Sequence, residues 1–333
     1  MAGNREFDQS HASQDSRSAS PRTPVSLHRF IAFTVACTFL LLIAGALVTS
    51  NDAGLSVPSW PFAPGTILPR MVGGVLYEYS HRMVAGFVAL LTFALAVWAW
   101  LREPRRWVRW LAVTALILVV LQAALGAITV LFFLPPAVST AHAALAQLFF
   151  CTLVALALFT GDWWQSDFPV ERESARPTLC AVGIATVTVI FVQLILGAAF
   201  RHNAFGVLPH VFGAGVVTAM VAWTVAIVFA RYADVAPLRR AAKLLVGLLA
   251  LQIALGIAAY WAVLYQAQLP QPYPLPVAIT VAHVVNGALT LATAVWLTLV
   301  AFRLFHPAAE FALVPALRPH PEHGKHAASA GTP

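Results

Sequence analysis

Charge is what this chain has least of. Asp, Glu, Lys and Arg make up 10% of its 333 residues, against 60% hydrophobic. That balance excludes a soluble domain wrapped around a large core and leaves a polytopic membrane protein. Cysteine is scarce as well. Cys37, Cys151 and Cys180 lie in apolar runs or at their edges and never at metal-ligand spacing. They read as core packing, not as a redox or zinc device. The net charge of +7 would suggest nucleic acid in a soluble protein. Here the basic residues fall mostly in alternate short loops, so they read as membrane topology, and nucleic acid is not an expected partner.

Each span needs about 20 apolar residues. Eight runs qualify, at 27–49, 79–101, 108–132, 139–160, 178–200, 208–231, 239–264 and 277–304. The first is too long for a signal-peptide core and lacks a small-residue cleavage site, so it is expected to be retained. Residues 1–26 are polar and expected to be a disordered cytoplasmic tail. Residues 305–333 are expected to be another; His320, His323 and His326 there read as solvated and not as a metal site. Arg102, Arg105, Arg106 and Arg109 follow span two, and Arg231, Arg239, Arg240 and Lys243 follow span six, while Arg17, Arg22 and Arg29 lie before or at the start of span one. The loops after spans three and seven carry no Lys or Arg. The positive-inside rule therefore places both termini in the cytoplasm. The linker 161–177 disagrees in part, with four acids beside two arginines, but acids weigh little in that rule.

The chain is organised around Glu78-Tyr79-Ser80-His81-Arg82, an ionisable cluster at the start of an apolar run. Such a cluster is expensive in lipid and marks function. Glu78 and His81 are three apart and share a helix face. His142, His210 and His283 recur near the starts of spans four, six and eight, at the same expected depth on the outer side. Each of the four is followed four residues later by a small residue, Ala85, Ala146, Ala214 or Gly287, a flat patch that suits a macrocycle or close helix packing. Spans three, five and seven carry Gln122-x-x-x-Gly126, Gln193-x-x-x-Gly197 and Gln252-x-x-x-Gly256; span one has Leu41 and Gly45 in those places. The simplest account is an all-α fold of eight transmembrane helices arranged as two duplicated, parallel four-helix bundles, 27–160 and 178–304. His81 then corresponds to His210, and His142 to His283.

Two histidines per bundle at one depth suit the axial positions of haem iron, with the apolar wall holding the ring. Zinc would need further Cys or carboxylate ligands, and copper more sulfur or closer histidines. Arg70, Arg82 and Arg201 are the basic residues on the outer side, where few are expected. They are candidate partners for haem propionates or side chains that reach to the interface. Glu78 has no counterpart, because Val207 stands three before His210. A purely electron-carrying pair of haems does not require that difference; one catalytic and one electron-carrying bundle does. An acid interacting with a helix N-terminus is the plainer alternative. The long Pro-rich and aromatic first loop, with Pro58, Trp60, Pro61, Pro64 and Pro69, suits a lid.

The run from Gly45 through Thr49, Asn51, Asp52 and Gly54 to Ser56, followed by Trp60-Pro61, resembles the end of span one and the first outer loop of the haem A synthase family. Glu78-x-x-His81-Arg82 resembles its acid–histidine motif. That resemblance implies oxidation of the C8 methyl of haem O to a formyl group, through a hydroxymethyl intermediate and a gem-diol, for cytochrome oxidase assembly. It implies His81 and His142 as ligands of the substrate haem and His210 and His283 as ligands of a permanent haem b that passes electrons. Glu78 would be catalytic, as proton acceptor or as an anion stabilising positive charge. It further implies a bacterial inner-membrane protein with haem sites toward the outer face, an electron donor, and haem O synthase as a candidate partner. Some members carry a cysteine pair in the first outer loop; this chain has none there. A dihaem b-type electron-transfer cytochrome is the alternative, and a transporter or a magnesium-dependent prenyltransferase fits less well. Small-residue faces would permit a homo-oligomer in the lipid.

Overall fold

The helices begin where the sequence supplies a terminus. Thr178 caps one of them, its hydroxyl accepting from the Ala181 amide at 3.2 Å, and three others carry proline in the first turn, where the missing N–H costs nothing. The computed structural model describes residues 22–62, 66, 69–166, 171–173, 175–266 and 273–307. The expected tails up to residue 21 and from 308 on, with His320, His323 and His326, lie outside the described residues. So do Pro64 in the first loop and residues 267–272 in the Pro-rich loop of the second half.

Among the described residues, eight helices are long and apolar enough to cross a membrane. They are α1 Val25–Ser50, α2 Gly74–Arg102, α3 Arg106–Leu131, α4 Pro136–Thr160, α6 Leu179–Arg201, α7 Leu208–Arg231, α8 Ala236–Gln266 and α9 Pro274–Leu304; α5, Asp162–Gln165, is a single turn. The protein is thus all-helical in its membrane part and of multi-pass type, as expected from the sequence. The expected spans are recovered with ends shifted by up to five residues. The largest shift is at α2, which starts at Gly74, so Glu78 and His81 lie inside the helix. Threonines inside the spans satisfy their hydroxyls on the carbonyl four residues back, as Thr38, Thr92, Thr186 and Thr290 do at 2.8 Å.

Neighbouring helices close two rings: α1–α2–α3–α4 and back to α1, then α6–α7–α8–α9 and back to α6. The rings meet through α1 against α9, α4 against α6, and α4 against α9. Exchanging the halves maps this interface onto itself. The inner helices α4 and α9 are the most buried of the eight.

At the end opposite the histidines, two clamps replace what would otherwise be loose ends. The Glu103 carboxylate is fully buried; it accepts from the Thr23 hydroxyl at 2.5 Å and from Arg105 Nε at 2.6 Å. Arg105 also donates to Thr23 Oγ1 and to the Phe159 carbonyl, tying the chain before α1 to α4. The second clamp is Glu173, which accepts from the Leu179 amide at the start of α6 and from the Tyr232 hydroxyl, both at 2.6 Å. It belongs to β1, Glu171–Glu173, which pairs in parallel with β2, Phe305–Pro307. Residues 305–307, the first three of the expected C-terminal tail, therefore run as a strand, and Phe305 is buried against the Tyr232 ring.

Burial above all, and then the Glu173 bond, raise the Tyr232 pKa. The folded protein thus holds the phenolic proton more tightly than the unfolded chain does. The stabilisation is complete below the ordinary tyrosine pKa of about 10 and is lost as pH climbs through the raised folded value. Glu173→Ala strands the buried Leu179 amide and the half-buried Tyr232 hydroxyl and should lower stability by about 1–3 kcal/mol, measured by thermal unfolding in detergent. The gap between the native chain and Tyr232→Phe should be constant to about pH 10 and shrink above it.

Candidate functional site

All four sequence-selected histidines lie at one end of the molecule. Each sits in the first three turns of its helix: His81 in α2, His142 in α4, His210 in α7 and His283 in α9. Each imidazole rests on a glycine of the helix before it in the chain. A Cβ added to Gly45 would come within 3.1 Å of His81 Cε1; at Gly126, Gly197 and Gly256 the distances to His142, His210 and His283 are 3.2, 2.9 and 3.0 Å. A side chain at any of these positions would have to push the ring aside. The glycine of each expected repeat is therefore a seat for a ring, a role its spacing alone did not disclose. The small residues four after each histidine behave less uniformly: Gly287 is covered by Leu194 and Gln252.

The glutamines one turn before those glycines reach the same histidines. Gln193 Nε2 lies 3.0 Å from His210 Nδ1 and donates to the His210 carbonyl at 2.8 Å. Gln252 Nε2 lies 3.3 Å from both ring nitrogens of His283, and its Oε1 accepts from Asn286 Nδ2 at 2.6 Å. Gln122 donates to the His142 carbonyl at 3.0 Å and meets that ring only at Nε2, at 3.4 Å. Leu41 in α1 offers His81 nothing polar.

Within the second ring, the imidazoles of His210 and His283 stand 6.2 Å apart, centre to centre, at 83°. A metal–imidazole bond of about 2 Å on each side, plus roughly 1 Å from nitrogen to ring centre, spaces two axial ligands by about 6 Å. These two residues fit a bis-imidazole iron centre. His81 and His142 are near enough to interact electrostatically, and both Nδ1 atoms are buried without a hydrogen-bond partner. Unpaired buried nitrogens carry a desolvation penalty that a ligand would relieve. Among the described residues no three of His, Cys, Asp and Glu converge; the imidazoles come as pairs.

Glu78 is 3% exposed, in the second turn of α2. One carboxylate oxygen accepts from the Val57 amide at 2.7 Å; the other pairs with Arg82 one turn on. Arg82 continues into the first outer loop, donating to the carbonyls of Val57 at 2.7 Å and Ser59 at 2.5 Å. Ala53 and Val57 are buried beneath it. The loop is thus stitched to α2 by the two charged residues that flank His81. Arg201 is exposed and donates to the Thr49 carbonyl at 2.6 Å, joining α6 to the end of α1. Arg70 is exposed in the loop. Val207 occupies the N-terminal boundary of α7 and leaves the second ring without an acid in the matching place.

Sequence reasoning passed over His202, just beyond α6. It is half-buried, and burial followed by the Arg201 charge lowers its pKa. It lies outside the Gln-x-x-x-Gly and histidine repeat, so periodicity carried no signal for it.

Residues 73–212 match the family model described as cytochrome oxidase assembly protein, COX15-CtaA. That span contains Glu78, His81, Arg82, His142 and His210. The heme A synthase of Bacillus licheniformis is 32% identical over 178 residues, 52% of this chain and 58% of the relative. That of Bacillus pumilus is 30% identical over 193 residues, 56% and 62%. The Lysinibacillus sphaericus protein of the same name is 33% identical over 177 residues, 51% and 57%. The chain thus covers less than two thirds of the length of these relatives. The family model and the relatives agree: over the part they match, the chain is similar to haem A synthases, and the eight helices with paired histidines lie in keeping with that likeness.

Proposed function

We propose that this protein is a haem A synthase that oxidises the C8 methyl of haem O to a formyl group by way of a hydroxymethyl intermediate. The observation that carries the reading is an asymmetry. Both halves offer paired imidazoles on glycine seats, and only the first adds a buried carboxylate under a fitted loop. His81 and His142 take the iron of the substrate, haem O. His210 and His283 hold a resident haem b, which supplies electron transfer when bound. The two rings descend from one duplicated four-helix unit, placed in a bacterial inner membrane with both termini cytoplasmic and the histidine end outward.

Glu78 acts at the reacting edge of the substrate. Its Oε2 is aimed by the Val57 amide and its Oε1 by Arg82, so the carboxylate is pre-oriented before the substrate arrives. It accepts a proton as the methyl and then the alcohol are oxidised, and Arg82 limits the cost of its buried charge. The loop shields the oxidised carbon from bulk solvent. The Arg82 bonds to Glu78 and to loop carbonyls favour a loop-holding role. Arg70 and Arg201 keep exposed guanidinium groups and are the better propionate partners. Each of the two oxidations takes up one oxygen atom, from water or from dioxygen, with the electrons balanced through an external electron-transfer partner; haem O synthase is the natural source of substrate.

The direct test is to purify the protein from cells with and without a haem O supply and to identify extracted haems by chromatography and mass. Haem A or its hydroxylated intermediate, found only with haem O and beside a constant haem b, is expected. Haem b alone in both preparations would support an electron-carrying dihaem cytochrome instead. Glu78→Gln keeps an acceptor for the Val57 amide and should leave the haem complement intact while conversion falls by about 10²–10⁴. Unchanged conversion would remove Glu78 from the chemistry. His210→Ala and His283→Ala should each lose the resident haem while haem O still binds the first half; survival of haem b in both would reverse the division between halves.

A further inference from the structure

At the histidine end the two halves lend each other side chains, and the exchange is unequal. Four and five residues after the Gly197 seat stand Arg201 and His202; four and five after the Gly45 seat stand Thr49 and Ser50. Because α1 packs on α9 and α4 on α6, both pairs stand where the halves meet. Ser50 meets the second half as a hydroxyl. Its Oγ accepts from Thr280 of α9 at 3.0 Å, three residues before His283. The place on α4 that matches Thr280, three before His142, is Ser139, whose hydroxyl is buried and has no partner. The residues that α6 brings to this end are Arg201 and His202. Arg201 donates to the Thr49 carbonyl at 2.6 Å, and His202 is near enough to His142 of the first half to interact with it electrostatically. The first half thus receives an arginine and a histidine from the second, and returns only Thr49 and Ser50.

A haem between His81 and His142 has one polar edge, which carries two carboxylates. Inside the apolar bundle those charges would be uncompensated, so that edge turns to the outer end. The first half is short of cations there. Its turn between α3 and α4 has none. Arg82 is taken up by Glu78 and by loop carbonyls, which leaves Arg70, exposed on the loop. His202 is half-buried, one residue past the end of α6. An imidazole donates an N–H to a carboxylate whether it is neutral or charged, and the C-terminal end of a helix favours a cation beside it. Among the described residues it does not converge with His81 and His142 as a metal-ligating group, so its part is not that of a third ligand.

We propose that His202, reaching across from the second half, binds a propionate of the haem held in the first half, so that the substrate site is completed by the other bundle. This rests on the assignment of the substrate haem to His81 and His142. It adds a reason for the choice of carbon. On the porphyrin rim the C8 methyl is the neighbour of a propionate, so pinning that carboxylate also helps decide which methyl lies against Glu78.

The experiment uses the full-length protein in detergent with its resident haem in place, titrated with iron protoporphyrin IX or with its dimethyl ester. The ester keeps the ring and the iron and lacks both carboxylate charges. Uptake of the second haem is followed by Soret absorbance. The native chain should bind the diacid more tightly than the diester. His202→Ala should weaken diacid binding about tenfold or more and leave diester binding unchanged. His202→Gln, which keeps an N–H donor, should recover part of the loss. The spectrum and midpoint potential of the resident haem should stay native in both variants, which also reports an intact fold. A side chain that only latched the halves together would weaken diacid and diester alike, and that result overturns the proposal. So does unchanged diacid binding in His202→Ala, equal affinity of the native chain for the two porphyrins, or an effect that falls on the resident haem instead. A native chain that takes up no second haem fails earlier, at the haem reading itself, and takes this inference with it.

Discussion

The architecture depends on one contact, an imidazole seated with its Cε1 against a glycine of the neighbouring helix. A ring within about 3 Å of where a Cβ would stand fixes how closely two helices approach at that level. The contact occurs four times, always between a helix and the one before it, always at the same end. It sets the pairs α1–α2, α3–α4, α6–α7 and α8–α9, and the remaining contacts close each set of four into a ring. Ring closure then brings the second-half imidazoles to 6.2 Å, the separation that a shared metal would ask of them. Overpacking a seat would cost about 1–3 kcal/mol in an ordinary core; here it would also displace an imidazole.

The two ends of the bundle solve opposite problems. At the histidine end the helices are spaced by glycine and some polar atoms are left unpaired, as the proposed haem sites would ask. The other end is closed by charge. Glu103, Arg105 and Thr23 lock the first half, and Glu173 with Tyr232 and the β1–β2 pair lock the second.

Much of this was legible in the sequence. Span number and position follow from composition, since backbone groups in lipid must bond within the helix and so require long apolar runs. The Gln-x-x-x-Gly and histidine repeats were visible as spacing, but not which helix each would face. The glycines therefore read as generic small residues until the rings were seen upon them. The start of α2 was misplaced by five residues because Glu78 looked like a polar boundary. In the fold that charge is neutralised by Arg82 at i+4 and by a loop amide 21 residues away, and the helix runs through it. The positive-inside rule counted Arg105 as topology, although it is bonded to Glu103, Thr23 and Phe159. The β1–β2 pair joins three-residue segments 134 positions apart, too short for any periodicity to reveal.

The long first loop and the single acid belong to one another. A carboxylate buried in an apolar bundle is costly unless its oxygens are bonded, and an unpartnered one would take up a proton or unravel its helix. Arg82 satisfies one oxygen of Glu78, yet an ion pair alone in low dielectric leaves donors and acceptors over. The bundle wall has none to offer. Residues 51–73 bring them: the Val57 amide for Glu78, and the Val57 and Ser59 carbonyls for Arg82. The second half has Val207 in place of the acid and joins α6 to α7 through residues 202–207 only. Without a buried charge there is nothing for a longer loop to satisfy. The difference in loop length between the halves is therefore a consequence of where the chain placed its buried carboxylate beside His81, and the chemical asymmetry and the structural asymmetry have the same origin.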